Sequence, residues 1–128
     1  MMNQPSPRKF WRWFDPRYRQ IGTWAFILNR ITAIGLTVYL VLHLYMLSKL
    51  VQGPEAYDAF IALAKTPVIL FGELLVIAAG LIHGLNGIRV GFNSFGFGLN
   101  RQRETFIVLM IIALAGTVYF AVHMFGWA

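Results

Sequence analysis

A chain of 128 residues that is 58% hydrophobic and only 12% charged cannot hide its apolar surface in a soluble core, because small domains bury the smallest share of theirs. The net charge of +6 comes from basic residues flanking apolar stretches, a distribution that excludes a nucleic-acid patch and fits a lipid boundary. The absence of cysteine excludes disulfides, thiolate zinc sites and iron–sulfur ligation within the chain, so any redox cofactor held here takes histidine, methionine or oxygen ligands.

Residues 1–23 form a basic and aromatic segment in which Phe10, Trp11, Trp13 and Phe14 alternate with Arg8, Lys9 and Arg12. That mixture suits a segment lying at the headgroup level. Residues 24–128 form the membrane unit, with spans over about 24–50, 68–90 and 105–127, each long enough for a bilayer core of about 30 Å. The first span is longer than a signal-peptide core and no small-x-small site follows it, so it is retained. A polar connection at Gln52, Gly53, Pro54 and Glu55 leads to a short amphipathic stretch ending at Thr66 and Pro67. A second loop runs from Asn93 to Glu104 and is rich in glycine. The expected fold is an all-α membrane protein with three transmembrane helices.

Orientation follows from lysine and arginine. Arg8, Lys9, Arg12, Arg17, Arg19, Arg30, Arg89, Arg101 and Arg103 fall on one side, against Lys49 and Lys65 on the other. Nine against two places the amino terminus inside and the carboxyl terminus outside.

Polar groups inside a span are costly and each needs a reason. His43 lies about 9 Å inside the outer boundary and His83 about 9 Å inside the inner one, at 1.5 Å per residue. They occupy opposite leaflets and cannot be the two axial ligands of one haem. Each can ligate a separate haem whose second ligand comes from another chain. Gly80, Gly84, Gly87 and Gly91 share a helical face with His83 at its edge. Such a stripe admits a flat macrocycle or a neighbouring helix, so ligation and plain helix packing both stand. Thr32, Leu36, Tyr39, His43 and Met46 share a face of the first helix, with Asn29 close by. That face reads either as a hydrogen-bonded seam or as a ligand surface. Arg30 and Arg89, at the inner helix ends, anchor the spans or meet an anionic or carbonyl group. His123 and Glu73 sit near the outer interface.

The run from Phe26 to Gly35, with Asn29, Arg30 and Thr32, resembles the "HRxTG" signature of the cytochrome b anchor subunits of succinate dehydrogenase and fumarate reductase. His83-Gly84-Leu85-Asn86-Gly87-Ile88-Arg89 resembles that family's second signature, H-x-x-x-G-x-R. Asn29 replaces the histidine and Ala33 the glycine of the first signature, and Phe26 stands where some members place a quinone-contacting serine. The resemblance implies that His83 is an axial ligand of haem b; two-haem members have a first-helix histidine near the outer side that ligates a second haem, a depth His43 fits, whereas one-haem members do not need it. It implies that Arg30, Asn29 and Arg89 lie near haem propionates or quinone, either menaquinone or ubiquinone. The implied partners are a flavoprotein subunit, an iron–sulfur subunit and a second membrane anchor supplying the other haem ligands. The chain would then be a non-catalytic anchor that passes electrons from the iron–sulfur subunit to quinone, with a haem-free tether and a fumarate reductase anchor as alternatives. With no recognisable transit peptide, the expected location is the cytoplasmic membrane of a prokaryote.

Overall fold

The computed structural model describes residues 21–126, and among these described residues there are four α-helices. They are α1 (Ile21–Leu47), α2 (Pro54–Ala64), α3 (Pro67–Ser94) and α4 (Gln102–Gly126). The basic and aromatic segment expected over residues 1–23 lies outside the described residues, apart from its last three. Helices α1, α3 and α4 have 27, 28 and 25 residues. At 1.5 Å per residue each is close to 40 Å long, enough to cross a bilayer core. They match the three expected spans, and all three are apolar enough to cross a membrane.

The ends of these helices have local causes. A 3-10 segment, Ser48–Gln52, continues α1 and stops at Gly53, whose φ of 106° suits a residue without a Cβ. Pro54 and Pro67 then open α2 and α3 at a first-turn position, where the missing N–H is no loss. Helix α3 closes on Gly96 in a left-handed conformation, φ 87°. Phe97 N donates to Phe92 O at 3.0 Å and Gly96 N to Asn93 O at 3.0 Å. This paired closure satisfies the last carbonyls of α3 and turns the chain sharply toward α4.

Helix α3 is the middle element: it packs along both α1 and α4, while α1 and α4 touch each other little. The contacts use small and polar residues, as expected where lipid removes the hydrophobic drive between helices. Ala25, Thr32, Asn86, Phe106 and Ala113 are the buried residues among those described. Gly116 lets α4 approach so closely that a Cβ there would lie 3.0 Å from Leu81 Cδ1. Large apolar side chains such as Ile34, Leu44, Ile111 and Leu114 face outward instead, the pattern of helices apolar on every side.

One end of this bundle carries the start of α1, the end of α3 and the start of α4, with Arg89, Arg101 and Arg103. The other end carries Lys49, Lys65 and the short helix α2.

Candidate functional site

Along the basic half of the bundle, α1 and α3 are joined by a polar seam. Residues 25, 29 and 32 share one face of α1, and residues 83 and 86 share one face of α3, by three- and four-residue spacing. The pairing is antiparallel. Asn86 Nδ2 donates to Ala25 O at 3.1 Å, while His83 Nδ1 meets Asn29 O at 3.2 Å and Thr32 Oγ1 at 3.3 Å.

Thr32 donates its hydroxyl proton to Leu28 O at 2.6 Å, so toward His83 it is an acceptor. Both neighbours of His83 Nδ1 therefore accept, and the ring proton sits on Nδ1. That leaves the Nε2 lone pair as the free donor atom of the imidazole. Histidine ligands of metals are held in this way, the second nitrogen tied to a backbone carbonyl that fixes tautomer and ring orientation. Beside the ring, Gly80, Gly84 and Gly87 leave open space, since a Cβ on any of them would meet nothing within 4 Å. Neither α1 nor α4 fills that face. An exposed glycine face next to a pre-oriented imidazole fits a flat, iron-bearing macrocycle.

Asn29 serves the seam through its main chain. Its side-chain Oδ1 is buried without a donor among the described residues, so it is enclosed by this chain's packing. Arg30 is exposed, with its guanidinium 5.2 Å from the centre of the Phe26 ring. Arg89 behaves differently. Its Nε donates to Asn86 Oδ1 at 2.9 Å and its guanidinium lies 5.6 Å from the Phe106 ring centre. Asn86 thus holds α1 with its amide nitrogen and Arg89 with its oxygen, which is why a fully buried amide is tolerated. Arg89 also lines an open cavity of 580 Å³ at the basic end, together with Ile21, Gly22, Ala25, Gln102, Arg103 and Phe106.

The structure divides along its length the α1 face that the sequence treats as one stripe. Thr32 is 6% exposed, yet Tyr39 and His43 on the same face are open. The α1–α3 contact is closed at Thr32 and open at His43. His43 stacks on Tyr39 with ring centres 5.5 Å apart and lies eleven residues beyond Thr32, about 16 Å further along the helix. His123, also exposed, donates Nδ1–H to Tyr119 O at 2.8 Å, with the two rings 4.2 Å apart. Glu73 is half-buried on α3. Among the described residues no cluster of three or more His, Cys, Asp or Glu side chains is close enough to hold a metal ion. The donors are single imidazoles, suited to axial ligation shared with another chain.

Sequence reasoning missed two features of this site. Asn86 was visible only as an unassigned letter of the H-x-x-x-G-x-R motif, although a polar amide inside a span is itself a signal. The cavity had no linear signature, because three helices build it.

The bundle and its polar seam define a class: a three-span membrane subunit whose first and middle spans are joined through His83 and Asn86. Residues 6–122 match the profile of the succinate dehydrogenase/fumarate reductase transmembrane subunit family, and the chain belongs to that family. It is 30% identical over 104 residues to the succinate dehydrogenase hydrophobic membrane anchor subunit of Halobacterium salinarum, covering 80% of this chain and 78% of that one. It is 29% identical over 108 residues to succinate dehydrogenase 2 membrane subunit SdhC of Mycobacterium tuberculosis, covering 80% and 79%.

Proposed function

We propose that the chain is a haem b-binding membrane anchor of a succinate:quinone oxidoreductase, through which electrons pass from the iron–sulfur subunit to membrane quinone. The observation that carries this reading is the geometry at His83. Its Nδ1–H is committed to Asn29 O at 3.2 Å and Thr32 Oγ1 at 3.3 Å, which leaves Nε2 as the uncommitted ring nitrogen on a helix whose glycine face is open. The curated relatives, one a hydrophobic membrane anchor subunit and the other a membrane subunit of succinate dehydrogenase, support the anchor part of this reading. Haem bound there supplies a one-electron relay; the protein supplies ligation, orientation and local electrostatics.

The residues divide as follows. His83 Nε2 would hold the haem iron, with a second anchor subunit supplying the other ligand. Asn29 and Thr32 position His83 by holding its Nδ1–H. Arg30, exposed and permanently charged, is the cation for haem propionates or a quinone carbonyl on the basic side. His43, whose imidazole is open near the opposite surface, would hold the iron of a second haem shared with a partner chain. Arg89 is held back by Asn86 and directed to the cavity at the basic end. The soluble flavoprotein and iron–sulfur subunits dock on that same end, which faces the cytoplasm by the excess of lysine and arginine. The membrane is then the cytoplasmic membrane of a prokaryote. Whether turnover runs as succinate oxidation or fumarate reduction is set by the potentials of the whole assembly.

The test is a reduced-minus-oxidised spectrum of the purified complex, with iron counted per flavin, for the wild type, His83→Ala and His43→Ala. The expected result is loss of one haem b equivalent with His83→Ala and of a second with His43→Ala. If only His83 matters, His43 is not a ligand. A wild-type complex without haem would leave the chain as a membrane tether alone.

A further inference from the structure

We propose that the cavity at the basic end holds the phosphate of an anionic phospholipid headgroup, gripped between Arg89 on α3 and Arg103 on α4. The proposal does not rest on the haem assignment.

Arg89 is already oriented. Asn86 Oδ1 takes its Nε at 2.9 Å, and Phe106 lies beneath its guanidinium at 5.6 Å. The two terminal amino groups, four N–H donors, are then the ones left for a ligand. Arg103 precedes Phe106 by three residues on α4, so it rises from the same helical face and lines the same cavity. Gln102 adds an amide beside it, and among the described lining residues there is no carboxylate to neutralise the pair. Two guanidinium groups facing one space select an oxyanion, and phosphate oxygens match their forked donors.

The other wall is apolar, made by Ile21, Gly22 and Ala25 of α1. A soluble anion has no use for that wall, whereas the glycerol and first acyl carbons of a lipid do. Depth agrees. The cavity lies at the first turn of α1, near the last turns of α3 and at the first turn of α4, where apolar spans give way to charged loops. Its volume of 580 Å³ exceeds that of a bare phosphate and leaves room for the attached glycerol. A basic pocket between spans at headgroup depth is the physical setting for an anionic lipid.

The experiment uses the purified complex in nanodiscs of phosphatidylcholine with and without phosphatidylglycerol, with retained lipid counted by native mass spectrometry. The wild type is expected to keep phosphatidylglycerol. Arg103→Gln is expected to weaken its retention about tenfold, the loss of one charge-assisted contact. Arg101→Gln removes the same charge two residues away but does not line the cavity, and is expected to behave as wild type. Gln102→Glu, a substitution favourable in a first helical turn, places a negative charge at the cavity and is expected to expel the lipid if Arg103→Gln does not assemble. Unchanged retention in Arg103→Gln or Gln102→Glu overturns the proposal, as does equal loss in Arg101→Gln. Inorganic phosphate added to the nanodiscs should leave the retained lipid in place. If it displaces the lipid, the ligand is free phosphate, and if a short-chain quinone displaces it, the cavity belongs to quinone; either result overturns the lipid assignment.

Discussion

Asn86 of α3 donates from Nδ2 to the carbonyl of Ala25 on α1, 3.1 Å away and 61 positions earlier in the chain, while its oxygen accepts from Arg89. One amide therefore ties two spans together and aims a cation. It does so at 1% exposure, in a bundle that buries few side chains of any kind.

Replacing it should be costly for its size. Asn86→Leu keeps the volume but removes both contacts, leaving Arg89 Nε without its acceptor. Interhelical hydrogen bonds in membranes are worth roughly 0.6–2 kcal/mol each, so a loss of about 1–3 kcal/mol is expected. Unfolding of the detergent-solubilised complex would check this. A loss below the lower bound would mean that lipid or partner chains, not Asn86, hold α1 against α3.

Thr32→Val tests the support of His83 without touching the ring. The valine is close in size, and Asn29 O remains to accept the Nδ1 proton. If His83 ligates haem, losing one of two acceptors makes the imidazole a weaker donor and favours the ferrous state. The midpoint potential should rise by roughly 20–40 mV, the equivalent of part of one hydrogen bond, with haem content retained. Potentiometric titration reads this directly, and an unmoved potential would reduce Thr32 to a packing residue.

The glycine face gives a cleaner separation of fold from assembly. A Cβ at Gly84 meets nothing within 4 Å, so Gly84→Leu should leave the three spans of this chain in place. It should nonetheless block whatever lies on that face. The expected outcome is a chain present in the membrane at wild-type level, with haem per flavin reduced to less than about half, since overpacking a filled contact is destabilising. Normal haem content would show that the face meets only lipid.

The lack of native cysteine makes topology simple to measure. Gln52→Cys and Ser94→Cys place single thiols at opposite ends of the bundle. An impermeant maleimide added to intact cells should label Gln52→Cys and spare Ser94→Cys. The reverse result would invert the orientation argued from lysine and arginine.

The spans were legible because twenty or so apolar residues in a row admit one reading, and Gly53, Pro54 and Pro67 mark their limits. His83 was legible as a titratable group where none is cheap. Its main support was not, because the Asn29 carbonyl belongs to the backbone and every residue has one. The first-helix stripe misled in a different way. Spacing says which residues share a face, but not where along its length a neighbouring helix leaves it, so Thr32 and His43 looked equivalent.

The tight turn at Gly96 bears on how the spans find one another. Helices α3 and α4 are neighbours in sequence, joined by a few residues with hydrogen-bonded closure at Gly96. Their pairing needs only a short loop to close, which is entropically cheap. The first span must instead find α3 across the whole of Ser48–Gln52 and α2, and its register there is fixed by Asn86 on the Ala25 carbonyl and His83 on the Asn29 carbonyl. The α3–α4 hairpin is thus a local unit of the bundle, whereas the place of α1 depends on contacts made more than fifty positions later in the chain.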